Sequence, residues 1–304
     1  MLLGTDDMLS ECVHNLQDAR QGKLQLTNGY YLHFDQMTRL LRTVQQYPEP
    51  MRFNLAELAA GTGLTLRQVK SLGSIMARMG LLRPVTYRLT RMGELVVEHD
   101  AFLDDPGSLW LCHYHLASDT AALVWNHVTN CILPASRSVT APEARDTFQP
   151  FLTGFTARSA NKKLLEELRA FFNAYTGQSF RHLRYLRETG DGAYSLTDSP
   201  TPLPPGAFLA ILLLYRDRFQ PGASGLEVPA ICTADHSPGR LLHLGETQVR
   251  ALLDKLHEAG QLTIEAKANL DQVRFRPGQS WLTAMQSYFD NGTLIEVFSP
   301  ALGP

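Results

Sequence analysis

The chain has 304 residues, of which 44% are apolar and 19% are charged, and its formal net charge is −2. This balance is typical of a globular protein of two or three domains, and the average charge alone gives no sign of a nucleic-acid partner. No apolar run reaches the ~18–20 residues that cross a bilayer, and the acidic start of the chain is unlike a secretory signal. The cysteines lack C-x-x-C spacing, which predicts reduced thiols and a soluble cytoplasmic protein; they are Cys12, Cys112, Cys131 and Cys232.

The first zone, residues 1–100, carries the clearest helical periodicity. Apolar residues at helical spacing predict a helix over 34–46, and a second, shorter helix is expected over 55–61. Thr65 followed by Gln68 has the form of a capping box, so a third helix should begin there.

Gly80 is expected to end this third helix, and a hairpin should follow it. The residues around Tyr87 and Leu89 alternate between apolar and polar types, which predicts a short β-hairpin wing over 81–91. Three helices, a tight turn before the third, and then a hairpin form the element order of a winged helix-turn-helix.

The middle zone, residues 101–203, is predicted to be all-helical. Helices are expected over 108–133, with an interruption or bend around residues 117–119, and over 161–176 and 178–188. Four prolines between residues 198 and 206 disfavour helix and mark a boundary or a rigid crossing loop.

The third zone, residues 204–304, repeats the layout of the first zone more loosely. Its longer helices are expected over 207–219 and 246–259, and paired strands over 262–265 and 273–276 should form a second wing. The predicted fold is therefore mainly α with small β-hairpin wings, in which tandem winged helix-turn-helix units flank a helical middle domain. Shorter helical pieces are expected over 226–232 and 238–244.

Basic residues are concentrated where the first wing and the helix before it are predicted. Between Leu58 and Met92 there are six basic residues and no acidic ones. Cations neutralise phosphates, and polar residues at the start of a recognition helix can reach base edges. The predicted DNA contacts through helix 65–80 and wing 81–91 are Thr65, Arg67, Gln68, Lys70, Ser71, Arg78, Arg83, Arg88 and Arg91. Solvated charges on an ordinary helical domain are the alternative.

A second basic segment lies in the middle zone. Arg181, Arg184 and Arg187 recur every three residues, which predicts a ridge on one helix face. This ridge could contact phosphates or an acidic partner, and a plain solvated face is an equal alternative. In the third zone acidic residues offset the basic ones, so protein contacts or a purely structural role are expected there.

Catalytic and metal-binding motifs were sought as well. Cys112 with His115 and His127 with Cys131 have spacings that share a helix face and would supply a zinc set, but packing inside a helical hairpin is favoured. Asp254, Glu265 and Lys267 fit only loosely the pattern of metal-dependent nucleases, because the predicted elements place them apart. No phosphate loop or nucleophile motif occurs, so neither an enzyme nor a cofactor is expected.

The segment from Glu98 to Asn130 resembles the bacterial domain of unknown function 4007 family. The phrase Asp105-Pro-Gly-Ser-Leu-Trp-Leu, followed by a pair of aromatic-rich helices, carries the resemblance, which extends over most of residues 30–215. The opening around Tyr31-Leu-His-Phe34 departs from the family's usual pattern.

This resemblance implies an accessory protein of anti-phage defence or DNA-modification gene clusters, and it supplies no catalytic residues. Together with the residues above, it predicts a DNA-binding adaptor whose partners are double-stranded DNA and a defence ATPase, nuclease or modification enzyme. A homo-oligomer is compatible with this role. A scaffold whose winged helices contact only proteins, and an autorepressor of the operon, are the alternatives.

Overall fold

The chain divides into two compact units, residues 1–202 and 203–304, so the predicted first and middle zones share one unit. Both units are mainly helical, and each holds one three-stranded antiparallel sheet. Among the described residues, no helix is both long and apolar enough to cross a membrane. The residues that the computed structural model describes are 24–47, 54–152, 156–267 and 270–291.

The first three helices follow the predicted order, and a fourth, α4, follows the hairpin without having been predicted. Thr65 and Gln68 form the expected capping box, and Gly63, at φ +68°, ends the second helix in the left-handed conformation that glycine adopts at low cost. Gly80, at φ +81°, follows the third helix, as predicted. The bounds are α1 Phe34–Gln45, α2 Leu55–Thr62, α3 Leu66–Arg78 and α4 Arg91–His99.

In the rest of the first unit the longest described helix is α9, which holds both buried and exposed residues. Three shorter segments continue one another before it: a regular helix, a π-helical stretch and a final turn of α-helix. The bounds are α5 Pro106–Ser118, α6 Leu123–His127, the π-helix Val128–Ile132, α7 Leu133–Ala135, α8 Ala141–Asp146, a 3₁₀ turn Gln149–Phe151, and α9 Ala157–Thr176.

The helix predicted over 178–188 is wrong. The chain forms a 3₁₀ turn over Ser179–Leu183 and then a hairpin of β2 Leu186–Gly190 and β3 Ala193–Leu196, which pairs with β1 Val139–Thr140 in the order β1-β3-β2. The turn at residues 190–192 is Gly-Asp-Gly, and all three residues have positive φ. A turn of this type favours a hairpin over helix propagation. The middle of the chain is therefore not all-helical.

The second unit places a sheet beside its helices. β4 takes the first two residues of the segment predicted as a helix over 226–232, and the rest of that segment is helical, as expected. β5 and β6 form the expected hairpin. The sheet order is β4-β6-β5. The bounds are α10 Pro205–Phe219, β4 Gly225–Glu227, α11 Val228–Thr233, α12 Pro238–Leu241, α13 Glu246–Glu258, β5 Leu262–Lys267, β6 Leu270–Phe275 and α14 Trp281–Asp290.

Aromatic side chains and buried histidines fill the core of the first unit. His113 is fully buried, its Nδ1 lies 2.5 Å from Tyr175 Oη, and its ring centroid lies 5.6 Å from that of Trp110. His127 is also buried, with Nε2 3.2 Å from Thr147 Oγ1, and burial lowers its pKa to about 4. His113 is therefore a hydrogen-bonded interior residue.

The carboxylate of Glu167, on α9, is buried and joins three parts of the first unit. The backbone N–H and the hydroxyl of Thr27 donate to Oε2 at 3.0 and 2.6 Å, and Trp125 Nε1 donates to Oε1 at 3.1 Å. Burial raises the pKa of this carboxyl group. A buried carboxylate is tolerated only where donors surround it, so these bonds fix residues 24–30 against α6 and α9.

We expect Glu167→Gln to destabilise the first unit by about 1–3 kcal/mol, because the amide N–H₂ would face donors that now bond to an oxygen of the carboxyl group. The folded-state pKa of Glu167 is raised above the ordinary value of 4.5. Its contribution to the free energy of unfolding is therefore complete below pH 4.5 and declines as the pH rises. The penalty measured by urea denaturation should therefore shrink with pH. Glu166→Gln, at the half-buried neighbouring position, is the control, and an equal loss in both variants would contradict the assignment.

Acidification should destabilise the first unit through His127. The folded-state pKa of His127 is about 4, below the ordinary value of 6.5. The contribution of the neutral imidazole to the free energy of unfolding is therefore present above pH 6.5 and is lost as the pH falls towards 4. The loss should reach roughly 3 kcal/mol in wild type and be absent in His127→Phe. Thermal unfolding between pH 4 and pH 7 measures it, with exposed His182→Gln as the control. Identical pH profiles for wild type and His127→Phe would refute this role.

Candidate nucleic-acid interface

A tight turn brings α2 and α3 together. Residues 63–65 connect the two helices, and the Arg39 guanidinium of α1 donates to the carbonyl of Thr62 at 3.1 Å beside this turn. Arg39 is exposed and lies 3.9 Å from Asp35. Arg39 lies before the acid-free window from Leu58 to Met92, so the charge pattern of that window does not predict it.

The segment after α3 is a short hairpin with a single bridge. Leu82 pairs with Leu89 in antiparallel fashion, and the backbone N–H of Arg83 donates to the carbonyl of Arg88 at 2.7 Å. The predicted hairpin at 81–91 is therefore present, but it holds no two-residue strand. Val85 and Tyr87 have positive φ values of 69° and 58°, so the connecting loop departs from extended backbone.

Tyr87 fastens this hairpin to α3. Its ring lies over Gly73, where a Cβ atom would stand 1.9 Å from Tyr87 Cε1. Burial raises the pKa of the Tyr87 hydroxyl. Because only glycine leaves room for the ring, the hairpin and α3 act as one packed element.

Three of the predicted DNA contacts are exposed cations on this element. Arg67 and Lys70 lie on α3, and Arg83 lies in the hairpin. Arg67 donates to the carbonyl of Asn28 at 3.1 Å and stacks over Tyr30 at 5.3 Å. Among the described residues, no ion pair involves Arg67, Lys70 or Arg83. These side chains present positive charge to solvent.

The other three predicted cations are already engaged by the protein itself. Arg78 forms a half-buried ion pair with Asp119 at 2.9 Å, and Arg91 pairs with Glu94 at 2.5 Å on the surface. Arg88 is only 7% exposed and donates to the carbonyl of Tyr47 at 3.0 Å. The expectation that Arg88 touches a phosphate is wrong, because a buried guanidinium cannot reach a ligand outside the fold.

The polar residues expected to contact bases also form hydrogen bonds within the protein. Ser71 is buried, and its hydroxyl donates to the carbonyl of Thr27, so its predicted contact with DNA is wrong. Thr65 and Gln68 are bonded to each other in the capping box. They lie at the start of α3, where the helix also leaves Leu66 51% exposed.

The predicted ridge of Arg181, Arg184 and Arg187 does not exist as one helix face. Arg181 is in the 3₁₀ turn, Arg184 caps that turn with φ +49°, and Arg187 is on β2, where its Nε donates to Ser195 Oγ at 3.1 Å. All three are exposed. The period of three applies only to a helix, and the chain leaves the helical conformation between the first and the third arginine.

The possible zinc set is not assembled. Cys131 is disulfide-bonded and Cys112 is a free buried thiol whose pKa is raised by burial, so the expectation of four reduced cysteines is wrong. Cysteine spacing along a sequence does not reveal which sulfurs meet in space. Across the part of the chain that the structure describes, no group of three or more His, Cys, Asp or Glu side chains could hold a metal.

The corresponding surface of the second unit has a different charge pattern. Arg250 of α13 is paired with Glu246 and with Asp271 of β6, and Arg274 is paired with Glu265 at 2.7 Å. Ion pairing with Arg250 lowers the pKa of Asp271. Neighbouring carboxylates therefore neutralise these two arginines.

Sequence comparison bears on these features. The family described as "Protein of unknown function (DUF4007)" matches residues 69–289, which is more than half of the chain. The chain belongs to the DUF4007 family. The resemblance stated from the sequence is thus confirmed. A search of curated proteins finds no match to this DUF4007 chain.

Two solved structures share the fold of this DUF4007 protein. One is described as a magnesium ion-bound SspB crystal structure, with 16% identity, 91% of this chain and 89% of that chain covered, and a TM-score of 0.71. The other is an SspB crystal structure with 14% identity, coverages of 90% and 89%, and a TM-score of 0.72. At these identities the similarity shows the fold alone.

The packing of Tyr87 on Gly73 leads to a test of the interface scaffold. Alanine normally favours a helix over glycine, yet Gly73→Ala should destabilise the first unit by about 1–3 kcal/mol because the new methyl group displaces the ring. In a Tyr87→Ala background the same change should cost less or become favourable. Urea denaturation of the four proteins measures the coupling. Equal effects of Gly73→Ala in both backgrounds would show that the ring does not occupy this space.

Proposed function

We propose that this DUF4007 protein is a non-catalytic, DNA-binding accessory subunit of a bacterial anti-phage defence or DNA-modification complex in the cytoplasm. It contacts duplex DNA through α3 and the hairpin at residues 81–91. The partners in this proposal are double-stranded DNA and an ATPase, nuclease or modification enzyme of the same system.

The arrangement of elements supports the proposal. In the first unit, α1, α2 and α3 precede a hairpin, and a three-residue connection separates α2 from α3. This is the order of a winged helix-turn-helix, in which the third helix enters the major groove. The second unit has the fuller version of the same order, since its hairpin pairs with an earlier strand in the order β4-β6-β5.

The exposed cations Arg67, Lys70 and Arg83 are the observation on which the proposal depends. They lie on one rigid element within a stretch that contains no acidic residue between Leu58 and Met92. Cations that neutralise phosphates release the counterions condensed on DNA, and this release supplies affinity that does not depend on sequence.

A second role concerns the second unit. Its helix α13 and hairpin have the winged-helix order, but Arg250 and Arg274 are neutralised by carboxylates at 2.6–2.8 Å. Such a surface gives little attraction to a polyanion and suits protein contacts. We therefore assign protein partners to this unit and DNA to the first one.

The test is duplex binding as a function of salt. The triple variant Arg67→Gln, Lys70→Gln, Arg83→Gln should lower the slope of log K against log salt by up to about 3, because each phosphate contact contributes roughly 0.9. Fluorescence anisotropy with a 30-base-pair duplex measures it.

A matched triple variant in the second unit removes the same charge and serves as the control. It replaces Arg218, Arg274 and Arg276 by Gln, and it should leave the slope within error of wild type. Equal losses in both triple variants would reject the site. Absence of duplex binding by wild type at 50 mM salt would reject DNA binding itself.

A further inference from the structure

The tip of the hairpin, residues 83–86, exposes two apolar side chains next to a cation. Val85 is 66% exposed, the largest exposed fraction among the large hydrophobic residues of the described chain, and Pro84 beside it is also exposed. Arg83 precedes them and points positive charge to solvent. These side chains contribute nothing to the core and are accessible to an external partner.

The conformation of Val85 is unusual for its residue type. Its φ is +69°, a region that β-branched residues enter only under strain. An asparagine or a glycine would occupy this position more easily, yet the chain carries a valine. Strain at an exposed apolar residue indicates that the side chain serves a purpose outside the folding of the hairpin.

The remainder of the hairpin holds this tip rigidly. The N–H of Tyr87 donates to the carbonyl of Arg83 at 3.1 Å, and that of Thr86 donates to the carbonyl of Pro84 at 2.8 Å. Below the tip, the ring of Tyr87 lies on Gly73, and Arg88 is buried with its guanidinium bonded to Tyr47. The tip therefore reaches a partner with its shape already set.

The chemistry of the partner follows from the neighbours of the tip. Arg83 and the acid-free stretch around it favour an anionic partner. Pro84 and Val85 require that the same partner also offers apolar surface close to its charges. Duplex DNA has both, since its phosphates flank stacked bases that apolar side chains can separate. A narrow minor groove also attracts an arginine.

We propose that Pro84 and Val85 form a wedge that enters the minor groove and partly unstacks a base step, with Arg83 in the groove beside it. This inference rests on the proposed DNA binding by the first unit and adds deformation of the duplex to it. Because pyrimidine–purine steps unstack most easily, the wedge should favour sites that contain TA or CA steps.

The experiment compares Val85→Asn with wild type on a 30-base-pair duplex that carries a central TA step. One copy of the duplex has 2-aminopurine at that step, and another has fluorophores at its two ends. The rise in 2-aminopurine emission and the shortening of the end-to-end distance that wild type causes should be lost in the variant. Affinity should fall roughly tenfold, the equivalent of losing one buried valine side chain.

Controls separate this inference from folding and from DNA binding in general. Val85→Asn should unfold at or above the wild-type temperature, because asparagine relieves the strained φ. Phe102→Ser removes another exposed apolar side chain of the first unit, 63% exposed, and should leave emission, distance and affinity unchanged.

Three outcomes overturn the inference. If Val85→Asn binds and distorts the duplex like wild type while the Arg67, Lys70 and Arg83 variant loses affinity, the wedge is wrong and DNA binding stands. If wild type binds no duplex, both fall together. If Val85→Asn keeps its DNA affinity and the distortion but loses co-purifying proteins, the tip serves a protein partner.

Discussion

The buried carboxylate of Glu167 is the interaction on which the first unit depends. It lies on α9 and accepts hydrogen bonds from Thr27 and from the indole of Trp125, so it fixes the segment at residues 24–30 against two helices. A charge so deep in the fold is tolerated only because both oxygens are satisfied. The same segment also holds α3, since the carbonyl of Thr27 accepts from Ser71.

This attachment decides which side chains of α3 remain available. The segment covers Ser71 and accepts a hydrogen bond from Arg67 through the carbonyl of Asn28, which leaves Lys70 and the outer part of Arg67 to solvent. On the other side of α3, Tyr87 occupies the space above Gly73. Of the nine residues that the sequence placed at this surface, Ser71 and Arg88 are therefore buried and do not contribute to it.

Local signals predicted the parts of the fold that depend on local physics. The capping box at Thr65, the glycine after α3 and the β5–β6 hairpin all arise from neighbouring residues, and all are present. The helix over 178–188 failed because the Gly-Asp-Gly turn at 190–192 competes with it. Arg78 is bonded to Asp119 and Arg88 to the carbonyl of Tyr47, each partner 41 residues away. No pattern along the chain predicts partners at that separation.

The two units show why net charge is a poor guide to nucleic-acid binding. Both have a helix followed by a hairpin, and both carry several arginines and lysines on these elements. In the second unit, Asp271 and Glu265 stand within ion-pair distance of Arg250 and Arg274, so the local field is largely cancelled. In the first unit the carboxylates are absent from the stretch around Lys70 and Arg83. Since screened interactions act over about 10 Å, the proposed contact with phosphates rests on this local separation of charge and not on the total of −2.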